Sequence, residues 1–311
     1  MKSKAGWILI AASVGLSLCY QATATEPKPM SLSSSEISIE VGEPCVISAS
    51  VALKDAGKQG VAVRWEVVVQ DGADTRKVRA SDSSVIFDDS GNTRIDVVLF
   101  ACPIAQDLVF PKVGSFSVRL RALVGKQLYA GTCTVVVEES SAEQKRFIKF
   151  VREDKERLFF LQGAVDSQEN NSLLSLERRV PADFLKKCKD FLGKKELPDG
   201  SKRLLRTLLG KVHLAKVFKG FVKSKSWGKE LSKNADLIEC RRIMQTALVS
   251  EGIFRDEAEY YLGYCSVLEK DFDKAKELLK PLSNRGGNAV LVGNAKIHLR
   301  QMQAAKGEGS Q

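Results

Sequence analysis

Histidine is scarce in this chain: two residues in 311, beside 8 Pro and 3 Trp. That scarcity removes most of the raw material for imidazole-based metal sites and for His-assisted nucleophiles. The chain also lacks a G-x-S-x-G elbow, an H-E-x-x-H helix and a Gly-rich phosphate loop. His213 and His298 both fall inside helical patterns, where a half-exposed incidental role is expected. The sequence therefore predicts no catalytic residues, no cofactor, no metal and no enzyme. The acidic Asp88-Asp89-Ser90-Gly91-Asn92 stretch has the residue types of a calcium loop, but a plain hairpin turn accounts for it as well and is preferred.

Long apolar runs are also missing. The longest, Trp7–Leu18, follows Lys2 and Lys4 and precedes Ala22-Thr23-Ala24. It is shorter than the ~20 residues a bilayer span needs. A basic start, a short apolar core and small residues at a cleavage point predict a signal peptide over residues 1–24. The expected location is secreted or periplasmic, with no transmembrane segment after cleavage. Lipid anchoring through Cys19 is the weaker option, because Leu18 is a poor residue before a modified Cys.

Beyond Cys19 lie Cys45, Cys102, Cys133, Cys188, Cys240 and Cys265, three in each half, in no zinc-knuckle spacing. Small buried hydrophobes are the reading preferred for them, although export would permit disulfides. The net charge of +10 is uneven: residues 1–140 are close to neutral and residues 141–311 carry the excess. A seam near Glu139-Ser140-Ser141 is thus also a charge boundary, and the length suits about two domains.

Between Ser33 and Glu139 apolar residues alternate with polar ones, as in Cys45, Ile47, Ala49, Val51 and again in Val61, Val63, Trp65, Val67, Val69. Alternation of this kind means strands with one buried and one wet face. Asp71-Gly72, Asp88–Asn92 and Lys112-Val113-Gly114 punctuate the runs as turns. Seven or so short strands in residues 30–139 predict a β-sandwich. The segment Pro111–Arg119, with Phe116 inside it, resembles the start of the penultimate strand of immunoglobulin-like and fibronectin-type domains, and Trp65 stands where those folds place a core Trp. Phe116 lacks the tyrosine-corner hydroxyl and Val118 replaces the second bridging Cys, so an antibody-type disulfide is excluded. Cys45 and Cys133 share the inward parity, which leaves a bridge between them as one option.

From Ala142 the apolar period changes to about 3.6 and predicts helices through residues 142–303, with a disordered tail over 304–311. In the stretch Asp256–Leu279, Leu262-Gly263 precedes a turn at Lys270-Asp271-Phe272 and then Ala275 and Leu279. Small residues at Gly263 and Ala275 allow two antiparallel helices to touch while Leu262, Phe272 and Leu279 fill the groove. The pattern resembles a tetratricopeptide repeat. Cys240, Met244 and Ala247 echo its second helix about one repeat earlier, and Val292-Gly293 echo its first helix later. One pair cannot bury its own apolar face, so the resemblance implies stacked neighbours. The combined architecture is a multidomain β plus α chain resembling bacterial envelope proteins with an immunoglobulin-like/fibronectin-type sandwich ahead of tetratricopeptide-like helices.

Charge supplies the functional lead. Lysines and arginines recur through residues 183–229, and Lys216, Lys219, Lys223 and Lys225 are the candidate contacts for an anionic partner. A solvated face is the blander account of the same residues. The sequence points to an exported, non-enzymatic adaptor or scaffold holding a protein or peptide through its helical repeats. The alternative is a surface-adhesion, polyanion or glycan-binding protein using the basic helices or the β-loops, with an acidic glycan or lipid surface as partner. Export disfavours nucleic acid.

Overall fold

The computed structural model describes residues 26–53, 60–100, 110, 112–152, 182–224, 229–250 and 252–308, and the side chains of all of these but 78–82, 100, 151–152, 182, 219–224, 229–230 and 306–308. The first half is built of strands and the second of helices, with one short strand returning from the second half to the first. The expected leader, Cys102 and Lys225 lie outside the described residues.

Ten strands run β1 (Lys28–Pro29), β2 (Ser31–Leu32), β3 (Glu36–Glu40), β4 (Pro44–Ala52), β5 (Val61–Asp71), β6 (Asp74–Ile86), β7 (Asn92–Phe100), β8 (Gly114–Val124), β9 (Gln127–Glu138) and β10 (Gly287–Asn288) among the described residues. The larger sheet has the order β1-β9-β8-β5-β6-β10, with β3 also pairing β9 in parallel. The smaller has the order β2-β4-β7. Two-residue turns set two of the registers. Asp71 faces Asp74 around Gly72, and Val124 faces Gln127 around Gly125. Gly72 (φ 61°) and Gly125 (φ 60°) occupy the left-handed region that tight hairpins require. A bulge between Val67 and Val68 adds twist to the β5–β6 pair.

The inward parities of both sheets meet in one core. Cys45, Ile47, Ala49, Val51, Ile95, Val97 and Leu99 from the smaller sheet pack with Val63, Trp65, Val67, Phe116, Val118, Leu120, Cys133 and Val135 from the larger. The Tyr129 hydroxyl donates to the Ala52 carbonyl at 2.6 Å and ties one sheet to the other. Cys45 and Cys133 are buried thiols in this core, and burial pushes both up. In the structure the two sulfurs are not bonded and pack as small hydrophobes.

The described helices are α1 (Ala142–Arg152), α2 (Ala182–Leu192), α3 (Asp199–Ser224), a 3-10 turn (Lys229–Lys233), α4 (Ala235–Ala247), α5 (Gly252–Leu268), α6 (Phe272–Asn284) and α7 (Ala289–Glu308). The tail expected from residue 304 is corrected at its near end, because α7 continues to Glu308. Helix α3 is buried nearly all round at Leu204–Leu209 and Lys211–Ala215, so it is the axis of the helical half rather than a surface helix. Against it lies α4, and α5 pairs with α6 across the Lys270 turn, where Lys270 takes φ 61° and the Asp271 side chain caps α6 by accepting from Lys274 N–H. A Cβ on Gly263 would stand 2.6 Å from Leu279 Cδ2, and one on Gly210 would stand 2.3 Å from Met244 Cε. The same close approach thus occurs twice, in α3/α4 and in α5/α6. Gly293 has nothing within 4 Å, so the Val292-Gly293 echo marks no such contact.

The halves interlock. Val46 and Val98, on the outer face of β4 and β7, belong to the helical core beside Phe254, Leu291 and Leu204. Glu43 Oε1 accepts from the Gly200 N–H in the first turn of α3 at 2.7 Å, where a carboxylate meets the positive end of the helix. Strand β10 pairs antiparallel with Ile86 and Val85, and just before it a Cβ on Gly286 would lie 2.2 Å from the Asn92 carbonyl oxygen.

Replacing Gly263 with Leu should overpack the α5/α6 contact and cost about 1–3 kcal/mol. Urea unfolding measures the loss, and Gly293→Ala, in open space within α7, should instead stabilise by up to about 1 kcal/mol through helix propensity.

Candidate functional site

The densest polar cluster in the described structure spans the junction of sheet and helix. Ser48 and Asp96 point outward from the neighbouring strands β4 and β7, and the Ser48 hydroxyl donates to Asp96 Oδ1 at 2.5 Å. Arg94 Nε reaches both Asp96 oxygens at 3.0 and 2.9 Å, and its Nη2 pairs with Asp256 on α5. Beyond α6, Arg285 donates to Asp256 Oδ1 at 2.6 Å and to Glu259 Oε2 at 2.7 Å, and Arg255 closes the chain on Glu259 Oε1 at 2.9 Å. Burial pushes the Asp256 carboxyl up, against the pull of Arg94 and Arg285. Gly252 opens α5 at φ 63° directly over this cluster, where a Cβ would lie 2.8 Å from Ser48 Oγ. Arg94 and Arg285 each meet two acids and Arg255 meets Glu259, which makes the cluster an internal tie rather than an open anion site.

A second polar pair lies inside the helices. Lys211 Nζ meets Glu257 Oε1 at 2.6 Å with the two side chains only 6% and 1% exposed, and the ammonium sits 5.7 Å from the Tyr261 ring centroid. Burial pushes the Glu257 carboxyl up, and Oε2 has no hydrogen-bond partner. Lys211 therefore leaves the expected basic surface. His213 is buried as well, with Nδ1 2.7 Å from Asp236 Oδ1, and burial lowers its pKa. The half-exposed state expected of it is corrected on those grounds. Both polar residues are carried inward because α3 is buried nearly all round where they lie.

Of the four lysines expected to meet an anion, Lys216 is half-buried on α3, the side chains of Lys219 and Lys223 fall outside the description, and Lys225 lies outside the described residues. Cations do rim a groove of about 390 Å³ between α1 and α2, where Arg146, Lys149, Lys187 and Lys194 surround Phe150 and Phe191. Glu143 and Asp190 share the rim, with Arg146 paired to Glu143 at 2.7 Å.

Beside the buried pair an aromatic ladder crosses three helices. Phe218 of α3 stacks on Tyr264 of α5 at 5.5 Å, Tyr264 lies 4.7 Å from His298 of α7, and the Tyr260 hydroxyl is 3.3 Å from His298 Nε2. Phe218, Tyr264 and His298 are half-buried, while Tyr260 is buried. Burial pushes Tyr264 up to about 12, so its hydroxyl stays protonated, and burial lowers His298, which favours the neutral ring. Such a face offers apolar surface with hydroxyl and imidazole hydrogen-bonding tips. Among the described residues no group of three or more His, Cys, Asp or Glu could hold a metal ion. The Asp88 carboxylate accepts from the Ser90 and Asn92 N–H groups, as a turn does.

Sequence reading missed the junction cluster and the Leu209-Gly210 pair. The pair repeats Leu262-Gly263 and was the available signal.

No family model matches the chain, and no curated protein matches it. Among solved structures, a β-glucosidase from Listeria innocua in complex with glucose overlaps at 10% identity and TM-score 0.25, over 34% of this chain and 16% of that one. A superoxide reductase (neelaredoxin) from Ignicoccus hospitalis overlaps at 10% identity and TM-score 0.23, over 36% of this chain and 82% of that one. The chain spans about one sixth of the β-glucosidase's length. Overlaps this short and loose carry no weight for fold or chemistry.

Asp256→Ala should leave Arg94 and Arg285 short of a buried carboxylate and destabilise the protein by about 3–5 kcal/mol, read by urea unfolding. Glu239 supplies a pH test. Hydrogen bonds from Arg242, and then Lys189, hold its carboxyl down at about 2 against an ordinary 4.5. A depressed carboxyl contributes stability that is present above the ordinary value and lost as the pH falls toward 2. Glu239→Gln should therefore cost up to about 1 kcal/mol at neutral pH, and the difference from wild type should vanish in unfolding curves taken near pH 2.

Proposed function

We propose that this chain is an exported, non-enzymatic adaptor whose helical half holds a protein or peptide partner. The observation that carries the reading is the aromatic ladder Phe218–Tyr264–His298, drawn from α3, α5 and α7 and half-buried along one side of the helices. Stacked helix pairs present such rows to an extended partner. The two glycine contacts, Gly210 on Met244 and Gly263 on Leu279, support a tetratricopeptide-like stack. The longer connection between α3 and α4 departs from the regular repeat. For the first half, the partition into β2-β4-β7 against β3-β9-β8-β5-β6 supports an immunoglobulin-like or fibronectin-type module. The apolar leader and the small residues before Thr25 support export.

A second reading, capture of an acidic glycan or lipid surface, draws on Arg146, Lys187 and Lys194 around the α1–α2 groove. The ladder favours the first. Salt separates the two, because at about 0.5 M the Debye length falls well below about 10 Å.

The test is affinity capture from an envelope fraction with the intact chain, since the interlocked halves argue against an isolated helical fragment. We expect one protein to be retained at about 0.5 M salt and lost with Tyr264→Ala, whose folding is checked by thermal unfolding. Capture that disappears at that salt, or that survives Tyr264→Ala, would overturn the adaptor reading.

A further inference from the structure

Helices α4 and α5 meet at the junction between the two helix pairs, and each brings one cysteine to it. Cys240 lies on the buried stripe Leu237, Cys240, Ile243, Met244, Ala247 of α4. Cys265 lies on the buried side of α5, and both belong to the cluster that includes Leu214, Ala258, Leu262 and Leu268. Their sulfurs are 3.8 Å apart, both residues are 0% exposed, and 25 positions separate them in the chain. At the same junction Arg241 of α4 pairs with Glu269, just past the end of α5. A disulfide requires about 2.05 Å between sulfurs, so the two sulfurs are in contact but not bonded.

We propose that Cys240 and Cys265 are an oxidisable pair whose disulfide staples the α3/α4 helix pair to the α5/α6 pair. The chemistry needs a disulfide donor, the class that oxidised glutathione represents. One cysteine thiolate attacks a donor sulfur, forming a mixed disulfide and releasing one donor thiol. The second cysteine then attacks its partner's sulfur, the protein S–S bond forms and the second donor thiol leaves. Two protein thiols are oxidised by two electrons, the donor disulfide is reduced, and the two protons end on the donor thiols. The S–H···S contact with Cys265, together with burial, pushes the Cys240 thiol well up, so the folded pair attacks slowly. Oxidation accordingly takes place while the chain folds or opens locally. The inference stands on this junction alone and does not depend on the adaptor reading.

The bond would act chiefly by restricting the unfolded chain across the loop it closes. A reduced pair leaves the two helix pairs joined by side-chain packing and the Arg241–Glu269 ion pair.

The test refolds the full chain from urea with a mixture of oxidised and reduced glutathione, and separately with excess reductant. We expect a product lighter by two hydrogens, a non-reduced digest containing one peptide pair joined through Cys240 and Cys265, and a Tm raised by about 5–10 °C over the reduced chain. Cys240→Ser and Cys265→Ser should each abolish the joined peptide and the Tm difference, while Cys45→Ser should retain both. If the oxidatively refolded wild-type chain leaves both cysteines fully open to alkylation after denaturation, the proposal is wrong. Cys240 joined to any other cysteine would overturn it equally, and neither outcome depends on a variant folding.

Discussion

The fold depends on the outer face of the small sheet serving as a floor for the helices. In an isolated two-sheet domain that face would meet water. Here Val46 and Val98 enter the helical core, and acidic or hydroxyl groups on the neighbouring positions receive the first turns of two helices. Glu43 takes the Gly200 N–H at the start of α3, and Ser48 with Asp96 lies under Gly252 at the start of α5. Helix N-termini carry unsatisfied N–H groups and partial positive charge. A sheet face that supplies carboxylates at two such points therefore fixes both the position and the direction of α3 and α5. The remaining helices inherit their places from these two.

The charged groups at this junction act more through geometry than through raw stability. A buried ion pair has to offset the desolvation of both partners, and an apolar pair of similar size often does as well. What the Arg94–Asp256–Arg285–Glu259 chain adds is discrimination: any rotation of the helices over the sheet would strand a buried charge. The Lys211–Glu257 pair plays the same part between α3 and α5, where a purely apolar contact would tolerate sliding. The glycines at 210 and 263 set how closely each helix pair packs, and the ion pairs set its orientation.

Much of the element structure was legible. Alternation marked the long strands β4, β5, β7, β8 and β9, the change to a helical period marked residue 142, and Leu262-Gly263 with Ala275 marked the α5/α6 contact. The junction was not, for a specific reason. Ser48, Arg94 and Asp96 occupy outward parity on their strands, and a polar outward residue reads the same whether water or a helix covers it. Lys211 and His213 misled in the opposite direction. Charge spaced along a helix suggests a wet face, and only the packing around Lys211–Ala215 reveals that both are enclosed. Leu209-Gly210 escaped notice because the stretch between α3 and α4 breaks the regular repeat spacing. Of the candidate site, the aromatic ladder was invisible for lack of a pairing rule. Phe218, Tyr264 and His298 come from distant parts of the chain, and only tertiary packing aligns them.

The short strand β10 has a bearing on how the molecule is made. Residues 287 and 288 pair with Ile86 and Val85 at the end of β6, so the strand-built half, first to emerge during synthesis, waits for a segment just before the last described helix to cover that end of its edge. Until then the outer flank of β6 presents unsatisfied backbone groups, the kind of ribbon border that templates association with other chains. Delayed closure over some two hundred positions also raises contact order and slows maturation.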